Sequence, residues 1–447
     1  MQRIYTTSLY NWKKEKKRKP LVLLGARQVG KSYLVNQFGR EAYQGYHVFD
    51  FEQDPSLASL FAADLDPNRI LEELNIRQRS KGHGPIKVDH LIFFDEIQES
   101  SRALASLRYF YEQRPEINII AAGSLLGVKL SGSFPVGRIQ ELTIFPMCFE
   151  EFLLASDDAL AIEMFQSKSR LQEAHKILWR YYIDYLFVGG MPEIVASWTE
   201  IDEKREGIDL VSSLQTSILS QYYKDFVKHS GKTNANHVSR VFDDVPRQLA
   251  NNMDSSTKRF KFKGVLPGQS KYIQLAGPID WLREAGLVYS CQLIEGSFSI
   301  PLAACTKNNM FKLFFFDVGL LGNKLGLSYE SQSLQNYGIT KGYIAENFVA
   351  CELTSKGLPL FSWQGGKSEI EFLACNDADG VFPIEVKSGT RTQAKSLKVF
   401  TEKFLPKRTV KLVGKVGGTH TANEVLPIYY AGHLGAAPFF HERAQVT

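Results

Sequence analysis

The stretch that decides the fold reads Gly25-Ala26-Arg27-Gln28-Val29-Gly30-Lys31-Ser32, and it follows the apolar run of residues 21–24. A buried strand that breaks into a glycine-rich turn and restarts as a helix points successive backbone N–H groups at one place. Gly25 and Gly30 allow backbone angles and a close approach that a side chain would prevent. Such a turn predicts a phosphate-binding site.

Lys31 and Ser32 complete this predicted site. A lysine here supplies a cation for terminal phosphates, and a serine hydroxyl is a ligand for Mg²⁺. The spacing fits the P-loop pattern without a departure, and apolar residues at helical spacing follow it. The alternative is a glycine-rich turn without a ligand. We expect residues 25–32 to bind a phosphate group.

Two acids follow the next clearly apolar strand. Residues 91–94 are Leu-Ile-Phe-Phe, and Asp95 and Glu96 come directly after them. A central parallel strand delivers such side chains to the carboxyl edge of the sheet, where doubly wound sheets bind their ligands. In P-loop enzymes the first acid holds the Mg²⁺ shell and the second orients and deprotonates the attacking water. We assign these roles to Asp95 and Glu96.

Ser124 and Arg138 are further candidates for a catalytic role. Ser124 ends the apolar strand of residues 117–122; its hydroxyl either senses the terminal phosphate and positions the water or caps the next helix. Arg138 follows a glycine at a strand start, where it either reaches transition-state charge, within the subunit or across an interface, or forms a structural salt bridge. The sequence leaves both alternatives open.

Several motifs together resemble a known family of predicted prokaryotic ATPases of the AAA+ superfamily. They are the P-loop, Phe-Phe-Asp-Glu-Ile-Gln at 93–98, Ala-Gly-Ser at 122–124, Gly-Arg at 137–138, Phe-Glu-Glu-Phe at 149–152, Phe-Val-Gly-Gly-Met-Pro-Glu at 187–193, the stretch 222–225 and Phe-Phe-Phe-Asp-Val-Gly-Leu-Leu at 314–321. In that family the ATPase module is fused to a C-terminal domain of unknown function. The resemblance covers nearly the whole chain and implies ATP binding and hydrolysis with Mg²⁺. It also implies that the helical region of residues 155–232 forms a lid over the nucleotide.

Composition places few limits on the partner. The chain has 447 residues, a formal charge of +5 and five cysteines without a CxxC pair. A slightly basic chain permits a nucleic-acid partner without requiring one. Widely spaced cysteines with apolar neighbours are typical of reduced thiols, so we expect a cytoplasmic protein. No apolar run approaches the length of a membrane span, and we expect no membrane partner.

Residues 233–305 combine predicted helices with a following strand pair, which suggests a winged helix. The cations in this segment are Lys258, Arg259, Lys261, Lys263 and Lys271, and Phe260 and Phe262 lie between them. Basic residues interleaved with aromatic ones are typical of a nucleic-acid surface. Winged helices also bind proteins. The partner of this segment is therefore expected to be either DNA or a protein.

The last third of the chain carries a second possible chemistry. Glu346 lies on the apolar side of a predicted helix, and Glu371, Glu385 and Lys387 lie on predicted strands that would bring them together. Three carboxylates and a lysine are the ingredients of a metal-dependent nuclease. The arrangement looks like the restriction-endonuclease-like fold, with Glu385-Val386-Lys387 as its acid-x-lysine element. It departs from that pattern at Glu371, where aspartate is usual, so a retained scaffold that does not cut is the alternative.

The predicted fold class is α/β, with a P-loop parallel sheet, a helical lid, a winged-helix-like middle and an endonuclease-like C-terminal domain. The predicted domains are residues 1–154, 155–232, 233–305 and 306–447. The predicted function is an ATP- and Mg²⁺-dependent switch or motor whose C-terminal modules contact DNA. The alternatives are a DNA nuclease regulated by ATP and an ATP-gated protein-interaction switch. A ring-forming homo-oligomer would take Arg138 from a neighbour, whereas a monomeric switch would not.

Overall fold

The computed structural model divides the chain into two compact units, Gln2–Phe145 and the part from Pro146 onward, and each is described by itself. The structure describes residues 1–124, 126, 137–201, 203–251, 259–333, 340–387, 395–420 and 423–435.

The first unit is built on a five-stranded sheet with the order β2-β3-β4-β1-β5. Its strands are β1 Leu21–Leu24, β2 Tyr46–Asp50, β3 Leu91–Asp95, β4 Asn118–Ala122 and β5 Gln140–Thr143. Every neighbouring pair is parallel. β3 and β4 are buried along their whole length, which explains their continuous apolar sequence. The predicted parallel sheet and the α/β class are confirmed.

Helices cover this sheet. They are α1 Thr6–Lys14, α2 Lys31–Ala42, α3 Pro67–Ser80 and α4 Ser101–Gln113, with short 3₁₀ helices at Pro55–Phe61 and Ile97–Glu99. The side chain of Ser100 accepts a hydrogen bond from the N–H of Ala103 and so caps α4. Phe51, Phe61 and Phe94 contact one another in a buried aromatic cluster. Since parallel strands end at a common edge, the segments after β1, β3 and β4 meet there.

The second unit combines helices with an eight-stranded mixed sheet. Its helices are α5 Phe149–Ala155, α6 Ala159–Gln166, α7 Gln172–Val188, α8 Pro192–Glu200, α9 Lys204–Ser230, α10 Lys232–Asn251, α11 Tyr272–Glu284, α12 Val318–Lys324, α13 Tyr329–Ser333, α14 Thr340–Ser355 and α15 Lys395–Phe404. Its strands are β6 Val288–Glu295, β7 Thr306–Phe315, β8 Phe361–Gly365, β9 Ser368–Asn376, β10 Gly380–Lys387, β11 Thr409–Val413, β12 Gly418–His420 and β13 Asn423–Pro427. Short 3₁₀ helices lie at Leu302–Cys305 and Ile428–Leu434.

The strand pair predicted as a wing belongs to this sheet. The strand order is β12-β13-β11-β10-β9-β8-β6-β7. β6 pairs antiparallel with β7 on one side and parallel with β8 on the other. The predicted boundary between residues 305 and 306 therefore falls inside a hairpin whose two strands share one sheet with the endonuclease-like region. Local sequence patterns identify the strands but not their distant partner β8.

The helices predicted as a lid contact the last described residues of the chain. Phe165 of α6 packs on Tyr430 with ring centroids 5.5 Å apart. In α7, His175 Nδ1 lies 2.9 Å from the hydroxyl of Tyr429. Phe149 at the start of α5 also packs against Tyr429. Within the second unit, these helices thus form one body with the C-terminal region, and the finer division into lid, winged helix and endonuclease-like domain stays a prediction.

A buried carboxylate explains two of the sequence motifs. Asp317 caps α12 by accepting a hydrogen bond from Leu320 N–H at 2.8 Å, and its other oxygen accepts one from Gly190 N–H at 2.6 Å. A Cβ at Gly189 would overlap this carboxylate, and a Cβ at Gly319 would overlap the backbone of residues 188–189. The two glycine-containing motifs therefore form a close backbone contact rather than a ligand site.

Glu352 of α14 is a second buried carboxylate and is only 1% exposed. Its Oε1 accepts a hydrogen bond from Phe149 N–H at 2.8 Å, at the start of α5. Within the described part of the chain its Oε2 has no hydrogen-bond partner. Burial raises the pKa of Glu352 from 4.5 to about 7, although the Phe149 N–H and Lys356 favour the charged form.

We expect Glu352→Gln to stabilise the protein increasingly as the pH rises. Because the folded-state pKa lies above the unfolded one, the wild-type chain loses stability from pH 4.5 upward through pH 7. The amide keeps the acceptor for Phe149 and removes the buried charge. The difference in free energy of unfolding between the variant and the wild type should therefore rise by roughly 3 kcal/mol from below pH 4.5 to above pH 7, at about 1.4 kcal/mol per pKa unit. Denaturant titrations at several pH values measure it.

The matched control is Glu402→Gln on α15, where the carboxylate is 65% exposed. This variant should follow the wild-type pH dependence. A Glu352→Gln profile parallel to that of the wild type would contradict the assignment of a raised pKa.

None of the described helices is both long and apolar enough to cross a membrane.

Candidate functional site

The loop between β1 and α2 has the backbone conformation that its glycines predicted. Gly25 has φ = 129°, Gly30 has φ = 88°, and Gln28 has φ = 65°. A Cβ at Gly25 would overlap the carbonyl oxygen of Ile144, which follows the neighbouring strand β5. Ala26 and Val29 are buried. Packing against the segment after β5 and the burial of Ala26 and Val29 therefore fix the loop conformation. Helix α2 starts directly after Gly30.

Lys31 folds back over this loop. Its Nζ donates to the carbonyl oxygens of Gly25 at 2.9 Å and Ala26 at 2.7 Å. Burial lowers the pKa of Lys31 to about 8, although the Coulomb attraction of Glu96 and Asp95 favours the ammonium form. The side chain of Lys31 is thus a buried cation facing the acidic strand end. A bound phosphate would give it a stronger partner than two carbonyl groups.

Ser32 and Asp95 lie together at the carboxyl edge of the sheet. The Ser32 hydroxyl donates a hydrogen bond to the Asp95 carboxylate. Burial raises the pKa of Asp95 to about 6, with further contributions from the nearby charges of Glu96 and Asp50, while the Ser32 hydrogen bond favours the charged form. A hydroxyl and a carboxylate in contact beside a phosphate loop fit Mg²⁺, which takes few protein ligands and completes its shell with phosphate and water.

Glu96 follows Asp95 in a left-handed conformation, with φ = 48°. This conformation is rare for a residue with a side chain and occurs where the surroundings enforce it, commonly at functional sites. The Ser124 hydroxyl at the end of β4 donates to Glu96 Oε2 at 3.2 Å. Gln98 Nε2 donates to the same oxygen. Five predicted residues are therefore brought together, namely Lys31, Ser32, Asp95, Glu96 and Ser124.

The two predicted arginines have different surroundings. Arg27 lies within the loop, with its guanidinium 3.6 Å from Glu52. Arg138 precedes β5, and its Nε lies 2.9 Å from Glu112 of α4. Since Gln140 is in register with Leu21 at the start of β1, Arg138 lies at the opposite edge of the sheet from the loop. At the rise of a strand this separation is roughly 20 Å.

Arg3 was not predicted from the sequence, although it holds the loop through hydrogen bonds to backbone carbonyl groups. The Arg3 guanidinium donates to the Val29 carbonyl at 2.6 Å and to the Phe145 carbonyl at 2.8 Å. It is only 4% exposed. No local motif marks this role, because Arg3 is 26 residues from one partner and 142 residues from the other.

Three of the four residues of the predicted nuclease-like site also come together. Glu385 and Lys387 lie on β10, and Lys387 Nζ is 3.0 Å from Glu385 and 3.5 Å from Glu371 of β9. Glu371 also accepts a hydrogen bond from Val386 N–H at 3.2 Å. Burial alone would lower the pKa of Lys387, but the two carboxylates outweigh it and raise that pKa. Glu385 Oε2 is buried and has no hydrogen-bond partner in the described part of the chain.

The fourth residue, Glu346, contacts a different lysine. Its carboxylate lies 3.4 Å from Nζ of Lys312 on β7, which is also 2.7 Å from Glu369. Across the described ranges, no group of three or more His, Cys, Asp or Glu side chains is arranged to hold a metal ion. The structure therefore brings Glu371, Glu385 and Lys387 together, and the convergence of Glu346 with them stays a prediction.

In the basic and aromatic segment of residues 259–271, the cations and the aromatic side chains have different surroundings. Arg259, Lys261, Lys263 and Lys271 are exposed, whereas Lys258 lies outside the described residues. Phe260 and Phe262 pack against Phe311 of β7, with centroids 6.4 Å and 5.9 Å away. Phe260 is buried and Phe262 is half-buried, whereas Arg259, Lys261, Lys263 and Lys271 are exposed and accessible to a phosphate backbone.

Family profiles match three successive parts of the chain. Residues 17–153 match the profile described as an AAA domain. The N-terminal third of the chain is therefore similar to AAA domains. Residues 180–331 match a domain of unknown function (DUF8612), and residues 341–430 match another (DUF4143). The AAA module fused to C-terminal regions of unknown function, expected from the motifs, is confirmed.

Solved structures give only distant similarities to this chain. The Aeropyrum pernix ORC1 protein in complex with DNA is 13% identical, with 72% of this chain and 90% of that chain covered and a TM-score of 0.26. A katanin structure described in terms of self-assembly is 13% identical, with 63% and 76% covered and a TM-score of 0.24. The Thermotoga maritima RuvB Holliday junction branch migration motor is 13% identical, with 64% and 86% covered and a TM-score of 0.26. Similarity this low says nothing about how the present chain acts. No curated protein matches the sequence.

Proposed function

We propose that the AAA domain binds ATP with Mg²⁺ and hydrolyses it to ADP and phosphate. The observation that carries this proposal is the meeting of Lys31, Ser32, Asp95 and Glu96 at one edge of the parallel sheet. Each of these residues supplies a part that phosphoryl transfer needs: a cation for the phosphates, oxygen ligands for a metal and a carboxylate for the water.

In the proposed reaction, the N–H groups of residues 25–32 and the Lys31 ammonium bind the phosphates of ATP. Ser32 and Asp95 would hold a Mg²⁺ ion, which when bound would neutralise charge that develops on the phosphate oxygens. Glu96 accepts a proton from a water molecule as the water oxygen attacks the terminal phosphorus. The bond from that phosphorus to the bridging oxygen breaks, and ADP leaves with the bonding electron pair.

We further propose that Arg138 acts only from a neighbouring copy of the chain. Its ion pair with Glu112 lies at the sheet edge opposite the phosphate loop, so the guanidinium cannot reach a nucleotide in its own subunit. Its side chain is 48% exposed and so is accessible to a second copy. An arginine supplied in trans is a known means of stabilising the transition state of phosphoryl transfer.

We expect Lys31→Ala to abolish ATP binding, because it removes the cation that neutralises the phosphates. Glu96→Gln should keep the ATP affinity within about twofold and lower turnover by two or more orders of magnitude, because the amide accepts no proton. A fluorescent ATP analogue measures binding, and phosphate release measures turnover. The control is Glu41→Gln, an exposed carboxylate on the P-loop helix. Unchanged turnover of Glu96→Gln would contradict the assigned role.

DNA is the partner that we propose for the second unit. The support is the exposed cationic group of Arg259, Lys261, Lys263 and Lys271. Each phosphate neutralised by such a group releases counterions, so binding should weaken steeply as salt increases.

We expect duplex DNA to stimulate ATP turnover at low salt and less so at high salt. Replacing Lys261 and Lys263 by Gln should reduce the slope of log affinity against log salt by about two. The control replaces Lys307 and Lys398, which are also exposed, and should leave the slope unchanged. Turnover indifferent to DNA would favour an ATP-gated protein-interaction switch instead.

A metal-dependent DNA nuclease is the second candidate function, and the unpartnered Glu385 Oε2 is the observation that favours it. A cation could satisfy this buried oxygen together with Glu371, once Lys387 moves toward a water or a phosphate.

If this candidate is correct, Mg²⁺ or Mn²⁺ should support cutting of duplex DNA, and Lys387→Ala should abolish it without changing ATP turnover. Product length on a gel measures cutting, and Lys398→Ala is the matched control. Absence of cutting by the wild-type chain with either metal would leave the region as a scaffold.

A further inference from the structure

Gln98 lies in the short 3₁₀ helix Ile97–Glu99, two residues after Glu96. Its amide Nε2 donates a hydrogen bond to Glu96 Oε2, and the Ser124 hydroxyl donates to the same oxygen at 3.2 Å. One oxygen of the carboxylate is therefore held by two neutral donors that come from two different strand ends. The motif at residues 93–98 contains this glutamine, but sequence reasoning gave it no role.

The absence of a side chain at Gly123, directly after β4, provides the space that Gln98 occupies. A Cβ at Gly123 would overlap Gln98 Oε1 and would also crowd the side chain of Leu126. Gly123 immediately precedes Ser124, so one short segment after β4 both accommodates the glutamine and supplies the second donor. The Ala-Gly-Ser sequence is thus explained by the contact that it makes with residues 96–98.

The backbone conformation of Glu96 is also restricted. Its backbone is left-handed, and its N–H donates to Asp95 Oδ1 at 3.1 Å. Within the described part of the chain, the hydrogen bonds to its carboxylate both end on Oε2. Oε1 is therefore the oxygen that remains to accept a proton from water.

We propose that Gln98 is a positioning residue, which together with Ser124 anchors Oε2 of Glu96 and so aims Oε1 at the attacking water. This inference rests on the proposed hydrolysis of ATP by the AAA domain. Gln98 does not touch the nucleotide in this scheme, and its effect passes entirely through Glu96. Orientation of a catalytic group affects the chemical step, not substrate binding.

The test compares two variants of nearly unchanged shape. Gln98→Met fills the same space without a donor, and we expect kcat to fall about tenfold while KM and the affinity for ATP stay within twofold. Gln98→Glu places an acceptor against Glu96, and the loss should be larger because two carboxylates repel. The control is Gln113→Met at the exposed end of α4, which should retain wild-type turnover.

A dependence on Glu96 separates positioning from a structural role. In the Glu96→Gln background, Gln98→Met should cause no further loss of single-turnover phosphate release. An equal-fold loss in both backgrounds, a raised KM or an unchanged or increased kcat would overturn the inference. If Gln98→Met does not fold, as judged by thermal unfolding, Ser124→Ala removes the other donor to the same oxygen. It should then lower kcat without changing KM, and a failure to do so would equally overturn the inference.

Failure of the proposed hydrolysis is distinguishable from failure of this inference. If the wild-type chain shows no turnover that depends on Lys31 and Glu96, the proposed function fails. If that turnover is present and Gln98→Met matches the wild type, only the positioning role fails.

Discussion

The common carboxyl edge of five parallel strands is the constraint on which the candidate site depends. Each strand contributes at most one or two side chains there, and no strand could assemble the site alone. Because the strands are parallel, segments that are about 70 and 100 residues apart in sequence end side by side. The phosphate loop follows β1, the two acids end β3, and Ser124 follows β4. The sheet therefore supplies the geometry, and the short segments beyond it supply the chemistry.

In the second unit, buried carboxylates connect distant parts of the chain. Asp317 joins the backbone at Gly190 to the start of α12, and Glu352 of α14 accepts a hydrogen bond at the start of α5. Both carboxylates accept N–H groups that a helix or turn would otherwise leave without a partner. Burial raises both pKa values, to about 6 for Asp317 and about 7 for Glu352. These two carboxylates therefore hold distant helices and turns together. Their burial opposes this stabilisation, because the charged carboxylate loses its contact with water.

Local chemistry could be predicted from the sequence, and long-range pairing could not. The loop at 25–32, the acids after β3 and the continuous apolar strands follow from residue type and spacing alone. The parallel pairing of β6 with β8 and the support of Val29 by Arg3 depend on contacts far apart in sequence, which no local pattern encodes. Glu346 lies on the expected side of its helix, but its partner Lys312 on β7 is 34 residues away in sequence, and no local pattern encodes that contact. Phe260 and Phe262 lie where expected, yet residue type alone does not distinguish an aromatic surface from core packing.

The return of the chain's last described segment to α5 has a consequence for biosynthesis. The first unit has all of its strands once residue 145 has left the ribosome, so it can fold while the rest is still being made. The second unit is completed later, since Phe149 at its start packs against Tyr429 near its end. The part of the Phe149 surface that Tyr429 covers stays open until Tyr429 has been made. Completion of the second unit is therefore coupled to the synthesis of the chain's last described segment.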